Sequence, residues 1–366
     1  MLLESIEALN FRNLAGSVDV STGLNIFVGD NGQGKTNWLE AIYLLASTRS
    51  FRTARLQEAV RFGEMMGLVR GSVRESPEIV RGLQVTIEGS AKQLSINGKK
   101  EPASRYLRQL NAVVFNADTL EIVRGQPEAR RRFLDDGIIS LHPPFIQTFT
   151  DYNRVIRQKN SLLQQAREKE MPLEQVAEAL GPWNQQLLPL AARIYRGRLR
   201  FVERLNEVLA KHLFASEDVA VRYISSLEGR GDLSNYEALI EERLQLRVQA
   251  ETVAGHSLIG PHRDDLEFLL DGHDLRRFGS AGQQRSVLLL LLLANIEVFR
   301  VTRGEYPLFL MDDIDAELDY GRIGQLLEYL SGKTQNFATT SKQNFIEEFG
   351  HNAAVFLVEN GQAKLQ

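Results

Sequence analysis

Leu24-Asn25-Ile26-Phe27-Val28 runs into Gly29-Asp30-Asn31-Gly32-Gln33-Gly34-Lys35-Thr36, and the stretch KTNWLEAIYLLA occupies 35–46. A short apolar run that ends on glycine reads as a buried strand. The residues after it switch to helical spacing, with Trp38, Ile42, Leu45 and Ala46 on one face. Between them lies G-x-x-x-x-G-K-[ST], in the strand–loop–helix setting that gives this motif its meaning. Glycines let backbone N–H groups wrap phosphates, and the helix N-terminus adds a dipole that favours anions. Lys35 is placed to reach the β- and γ-phosphates, and the Thr36 hydroxyl is a magnesium ligand. Gly29, Asp30, Asn31, Gly32, Gln33, Gly34, Lys35, Thr36 and Asn37 are therefore the expected ATP-binding residues. A glycine-rich turn carrying an accidental lysine fits this setting poorly.

Outward from that motif, strand signals occupy Leu3–Phe11, Ser17–Val20, Gly67–Val73, Leu83–Ile87, Leu94–Ile96 and Ala112–Phe115. Asn97-Gly98 is a type I′ hairpin signal. From about 126 to 250 the pattern becomes helical: Phe145, Phe149, Tyr152 and Ile156 repeat as one helix face. Pro172, Gly181-Pro182 and Pro189 interrupt it, which predicts several packed helices and no long coiled coil. After about 255 strands and helices alternate again, at Leu266–Leu270, 282–302, Leu308–Met311, 321–330, Phe337–Thr340 and Val355–Val358. The expectation is an α/β domain split by a helical insert: 1–120 and 256–366 as the head, and 121–255 as the second lobe.

The chain has 366 residues, 43% hydrophobic and 25% charged, an ordinary globular profile. It contains no cysteine, which removes disulfide scaffolds, thiolate metal sites and cysteine nucleophiles. No secretory pattern is visible at the N-terminus, and the longest apolar run, Val287–Ala294, is far short of the ~20 residues that a membrane span needs. These readings exclude a secreted or integral-membrane protein and predict a cytoplasmic one with no membrane partner. Net charge is −4, so the chain as a whole lacks a basic footprint. Its cations are nevertheless 33 Arg against 10 Lys, and arginine is the planar reader of phosphate and carboxylate.

Two further motifs follow. Leu308-Phe309-Leu310-Met311-Asp312-Asp313 is an apolar strand ending in two acids. Such an end sets a carboxylate beside the phosphates, so Asp312 with Thr36 is the expected Mg²⁺ pair. Asp313 stands where a general base for the attacking water would be, which makes Lys35, Asp312 and Asp313 the expected catalytic set. Ser280-Ala281-Gly282-Gln283 opens the leucine-rich helix, and small residues with a hydroxyl at a helix N-terminus make an anion site. By itself Ser280 also reads as a simple N-cap. In the order phosphate loop, Ser-x-Gly-Gln, Asp-Asp strand, these motifs form the ABC-type ATPase pattern.

The whole chain resembles the RecF family, bacterial recombination-repair ATPases of the SMC/Rad50 group. The resemblance rests on Asn10-Phe11-Arg12-Asn13-Leu14, GDNGQGKTNWLEAIYLLASTRSFR (29–52), Gly125-Gln126-Pro127 with RRRFLD (130–135), IGPHRDDLEF (259–268), SAGQQRS (280–286) and LFLMDDIDAELD (308–319). It implies an ABC-type head interrupted by an α-helical second lobe, and a nucleotide sandwiched between two heads. Ser280 to Gln283 of one copy would then act in trans on the ATP of the other. It further implies Asp319 as the acid of the D-loop, Arg12-Asn13 as a loop bordering the nucleotide, and Thr340 and Ser341 near the switch position. Ala281 and Ala316 depart from the usual glycine and serine, and Asn116 is the nearest residue to a Q-loop. By resemblance the protein dimerises on ATP·Mg²⁺, binds double-stranded and gapped DNA, and hydrolyses ATP slowly. RecR is the implied partner, with RecO and RecA reached indirectly.

For DNA contact the candidates are Arg49, Arg52 and Arg55 in a loop after the phosphate-loop helix, and the stripe Arg193, Arg196, Arg200 and Arg204 at i, i+3, i+4 spacing. A solvated helix face explains the stripe equally well. Arg130–Arg132 read as a hinge held by acids such as Asp135, and the six histidines show no metal-ligand spacing. Two other readings stand beside the main one. A transporter's nucleotide-binding subunit shares the motifs, but 245 positions separate Lys35 from Ser280 and the switch histidine is missing. An ATP-binding scaffold without turnover is the third.

Overall fold

The computed structural model describes residues 1–212 and 217–366. The chain forms two compact units, one from 1–120 with His212 and 280–366, the other from 121–211 with 217–279. The expected insert 121–255 thus includes four residues, 213–216, that lie outside the described ones. Residues 256–279, expected in the returning head, pack in the second unit because strand Asp265–Leu270 pairs with Val219–Ile224.

The first unit holds two six-stranded sheets. One is antiparallel, in the spatial order Leu14–Asp19, Leu2–Phe11, Met66–Ser76, Ile79–Glu88, Ala91–Ile96, Lys99–Lys100. The other runs Gln362–Leu365, Ala353–Glu359, Leu24–Val28, Asn336–Thr340, Leu308–Met311, Ala112–Phe115, and is parallel except at the Gln362–Leu365 edge. Helix Lys35–Ser47 lies between them for a compositional reason. Trp38, Leu39, Ala41, Ile42, Leu44 and Leu45 leave it apolar on almost every side, so it is stable only when covered on two faces. One core joins Leu3, Ile6, Val69 and Val85 of the antiparallel sheet to Phe27, Leu310, Phe337 and Phe356 of the parallel one through this helix. No described helix is long and apolar enough to cross a membrane.

Parallel register decides where chemistry can occur. Val28 pairs with Thr340, and Met311 with Ala338, so three strands end level with one another. The Asn97-Gly98, Asp271-Gly272 and Asn360-Gly361 turns all have positive φ at both central residues, as type I′ turns require. Beyond the last of them the chain adds a strand, Gln362–Leu365, past the expected final one.

The second unit corrects one expectation. Pro182 and Pro189 do not break the helical region: a single helix runs Leu173–Leu209, 37 residues. Both prolines are exposed, two turns apart on the solvent side. Glu178 and Gln185, whose carbonyls lose their intrahelical donors, are exposed as well. Water can take over those acceptors, which removes most of the usual penalty. Asp135 pairs bidentately with Arg198 at 2.8 and 3.0 Å and its charge also acts on Arg131, while Arg130 forks Asp265 at 2.6 and 3.0 Å. Lys159 and Glu251, both fully buried, form a third ion pair at 2.8 Å. All three pairs tie elements within the second unit.

His262 has a structural role there. Its Nδ1 accepts from the Tyr152 hydroxyl at 2.7 Å, and Nε2 faces the Ser257 carbonyl at 3.3 Å, so the neutral ring satisfies both partners. Burial is the first cause that brings its pKa from 6.5 down to about 4. The folded protein therefore resists protonating this ring, and the stability it contributes is present above pH 6.5 and lost as pH falls toward 4. A shift of that size is worth about 2–3 kcal/mol over this window. Denaturant titrations of wild type and His262→Gln at pH 7 and pH 4.5 check it: the variant is the less stable protein at pH 7, and the gap closes at pH 4.5.

Candidate nucleotide-binding site

The phosphate loop needs its glycines individually. Gly29 (φ 154°), Gly32 (φ 84°) and Gly34 (φ 114°) hold backbone conformations that side chains disfavour. A Cβ on Gly29 would also lie 2.4 Å from the Val358 carbonyl oxygen. Asp30, Asn31 and Gly32 are exposed at the loop's crest. Lys35 opens the following helix, and its ammonium folds back to donate to the Gly29 and Asp30 carbonyls at 2.7 and 2.9 Å. Burial lowers its pKa, opposed chiefly by Asp313 and then by Asp312.

The loop has a wall that sequence reasoning missed. The Asn360 and Gly361 amides donate to the Gln33 side chain and carbonyl at 2.7 and 2.8 Å. Asn13 joins them: its Nδ2 donates to the Gln33 carbonyl at 3.3 Å, and its Oδ1 accepts from Asn37 at 2.7 Å. The C-terminal hairpin thus braces the phosphate loop. Its only sequence signal, Asn-Gly, announces a turn and says nothing of what the turn touches.

Arg12 borders the same loop through Glu40, a fully buried carboxylate that it forks at 2.7 and 2.9 Å. Glu40 also accepts from the Ser50 hydroxyl at 2.5 Å and lies 3.6 Å from Arg52. Arg52 donates to Asn37 at 2.7 Å, so this expected DNA contact is tied to the phosphate-loop helix. The missed signal for Glu40 was a lone acid in an otherwise apolar helix, a residue that must be paired if buried.

Across the sheet, Asp312 Oδ1 accepts two hydroxyls, Thr36 Oγ1 at 2.9 Å and Thr339 Oγ1 at 2.7 Å. Burial is the main influence raising its pKa, and the two hydroxyls oppose it. Asp313 is exposed, with left-handed backbone (φ 52°, ψ 44°). Asp315, with one carboxylate oxygen buried and unpartnered, accepts from Thr340 Oγ1 at 3.1 Å, and its carbonyl accepts from Lys342 at 2.8 Å. The donor set suits Mg²⁺, a hard cation that takes one or two protein oxygens and completes its shell with phosphate and water. No described cluster of three or more acids or histidines could hold a metal by itself.

The signature residues stand apart from this network. Ser280 and Gln283 form a reciprocal capping box, Ser280 Oγ accepting from the Gln283 amide at 3.2 Å and Gln283 Oε1 from the Ser280 amide at 2.8 Å. Ser280, Ala281 and Gly282 are exposed, and none of Ser280's bonds among the described residues runs to the phosphate loop. Asp319 caps helix Tyr320–Leu330 by accepting from the Arg322 amide at 2.9 Å. Arg285 pairs with Glu317 at 2.9 Å, which fixes the signature helix to that segment. Asn116 is a buried turn-former that accepts from the Thr119 amide at 2.9 Å.

Of the remaining DNA candidates, Arg55 is exposed and Arg49 is partnered. Arg193, Arg196, Arg200 and Arg204 are exposed along one side of helix Leu173–Leu209 in the second unit, with Arg193 4.8 Å from the Phe145 ring centroid.

A family model described as RecF/RecN/SMC N terminal domain matches residues 2–364. The DNA replication and repair protein RecF of Lysinibacillus sphaericus is 34% identical over 370 residues, covering 99% of both chains. That of Pelotomaculum thermopropionicum is 37% identical over 369 residues, covering 99% of this chain and 100% of its own. Among solved structures, the recombination mediator protein RecF-ATP of the RecFOR pathway is similar with a TM-score of 0.88 at 28% identity, covering 100% of this chain and 97% of that one. An Smc head bound to the winged-helix domain of ScpA shares the fold alone, with a TM-score of 0.55 at 14% identity over 100% of this chain and 97% of its own.

The hairpin brace yields a clean comparison. A Cβ on Gly361 (φ 82°) would sit 2.1 Å from the Asn13 carbonyl oxygen, whereas Gly98 (φ 77°) has nothing within 4 Å. Gly98→Ala should therefore lose only the ~1–2 kcal/mol of left-handed strain. Gly361→Ala should lose more stability and weaken ATP affinity at least tenfold, as thermal unfolding with and without nucleotide will show.

Proposed function

We propose, from the premise that this chain belongs to the RecF family, that it is a DNA-repair ATPase working as a nucleotide-gated clamp. Two copies close around two ATP molecules, bind duplex DNA at single-strand gaps, and open after slow hydrolysis. The observation that carries this is the start of helix Ala281–Arg303: Ser280, Ala281 and Gly282 are exposed, and none of Ser280's bonds among the described residues runs to the phosphate loop of its own chain. A second copy supplies what the first lacks.

In this reading the loop amides and Lys35 hold the phosphates, and Thr36 and Asp312 hold Mg²⁺, which would neutralise charge on the β- and γ-oxygens. Asp313, exposed at the strand end, orients or deprotonates the attacking water, in line with the bond to the leaving phosphate. Ser280 and the amides behind it, from the second copy, face the terminal phosphate. Turnover then acts as a timer. Moving a dimer from 1:99 to 99:1 takes about 5.5 kcal/mol of differential binding, which two shared sites can supply. DNA contact falls to Arg55, Arg193, Arg196 and Arg200, with Arg49 and Arg52 closer to the nucleotide. RecR as direct partner, RecO and RecA as indirect ones, gap loading, the SOS response and a cytoplasmic location complete the proposal.

Binding to gapped duplex DNA, followed by anisotropy with ATP, ADP or no nucleotide at two salt concentrations, tests it. ATP-dependent binding that weakens with salt supports the clamp; equal binding in all three states leaves the scaffold reading, and none in any state overturns the clamp. Lys35→Ala should abolish ATP binding. Ser280→Arg should keep it and lose dimerisation, and normal dimerisation of that variant by light scattering would overturn the trans arrangement.

A further inference from the structure

We propose, resting on the hydrolytic reading above, that Thr339 is a positioning residue: its hydroxyl sets Asp313 against Asp312, and through that the turnover rate but not the nucleotide affinity. Thr339 is the penultimate residue of the strand that lies between the phosphate-loop strand and the acid strand, in register with Phe27 and one step beyond the Met311–Ala338 pair. It is the side chain that topology places opposite both acids. Its single hydroxyl proton goes to Asp312 Oδ1 at 2.7 Å, and its oxygen accepts the Asp313 amide, also at 2.7 Å. With Thr339 1% exposed, water has no room to replace either bond.

The two acids depend on that hydroxyl unequally. Asp312 keeps a second donor, Thr36, so the pair that faces the nucleotide retains an anchor if Thr339 loses its oxygen. Asp313 holds a left-handed backbone in which its own amide is bound, among the described residues, by Thr339 alone. No described residue donates to its carboxylate, so the direction of that carboxylate is set through the backbone alone. Thr340, the next residue, serves Asp315 and cannot substitute.

Thr339→Val keeps shape and β-branching and removes the hydroxyl; Thr339→Ser restores it. Three readouts apply to each full-length variant: ATP affinity by calorimetry, single-turnover hydrolysis, and the lifetime of the ATP dimer by light scattering. Valine should lower hydrolysis at least tenfold, keep ATP affinity within threefold, and lengthen the dimer's life; serine should return all three to within threefold of wild type. Parallel loss of affinity and turnover, unchanged turnover in the valine variant, or a serine variant as poor as valine would each overturn the inference. If valine prevents folding by circular dichroism, Thr339→Ala is read against the same limits. A wild type without Lys35-dependent hydrolysis would instead remove the hydrolytic reading itself.

Discussion

The 2.9 Å hydrogen bond from Thr36 to Asp312 closes 276 residues of sequence, and the arrangement of the first unit follows from making it possible. Neither residue lies on a neighbouring strand of the other: strand Asn336–Thr340 runs between theirs. A parallel register is what brings the three ends level, and parallel strands are stable only with both faces covered. The apolar helix Lys35–Ser47 covers one face. The same helix begins at Lys35, so the element that completes the core also aims the phosphate-binding end. Packing and chemistry here are one constraint.

Electrostatics sets the second layer. Glu40 is a buried carboxylate contacted by two guanidiniums, Arg12 and Arg52. Burying one such group unpaired is prohibitive, so the acid forces the arginines inward against the phosphate-loop helix. The result leaves an excess positive charge beside a loop built for phosphates, while Asp312 and Asp313 supply negative charge on the opposite side. Lys35 sits between, with burial pulling its pKa down and the acids pushing it up. An added triphosphate with its cation resolves both imbalances at once.

Much of this was legible in the residues. The strands at 24–28, 112–115 and 308–311 are apolar runs with clear stops, and the phosphate loop and Asp-Asp end follow from spacing. What escaped was long-range or conditional. Glu40 and Thr339 look like ordinary helix and strand residues until the fold brings Arg12 and Asp313 to them. The Gln33 brace depends on a hairpin more than three hundred residues away. Pro182 and Pro189 misled because a proline's penalty depends on whether the carbonyl it frees meets water, and solvent exposure is a tertiary property. The Asp135 fork to Arg198 was not legible either, since charge alone does not choose a partner among several arginines.

In the proposed clamp the start of helix Ala281–Arg303 in one copy would face the nucleotide of the other, and its local chemistry suits that role. An N-terminus with no acceptor leaves four amides unsatisfied. The Ser280–Gln283 box satisfies two donors internally and leaves the amides of Ala281 and Gly282 facing solvent. The helix is therefore stable without its ligand, yet retains the groups that favour an anion. Gly282 has only Ser280 Oγ near where a Cβ would be, at 4.0 Å, so a phosphate can approach closely. Attraction at a helix end acts over the first turn and scales with the anion's charge. In the proposed dimer a second copy meeting this end would therefore gain most when the phosphate presented to it is the terminal one of a triphosphate, and least after that phosphate has gone. Discrimination between the two nucleotide states would then need no moving part beyond the association of the two chains.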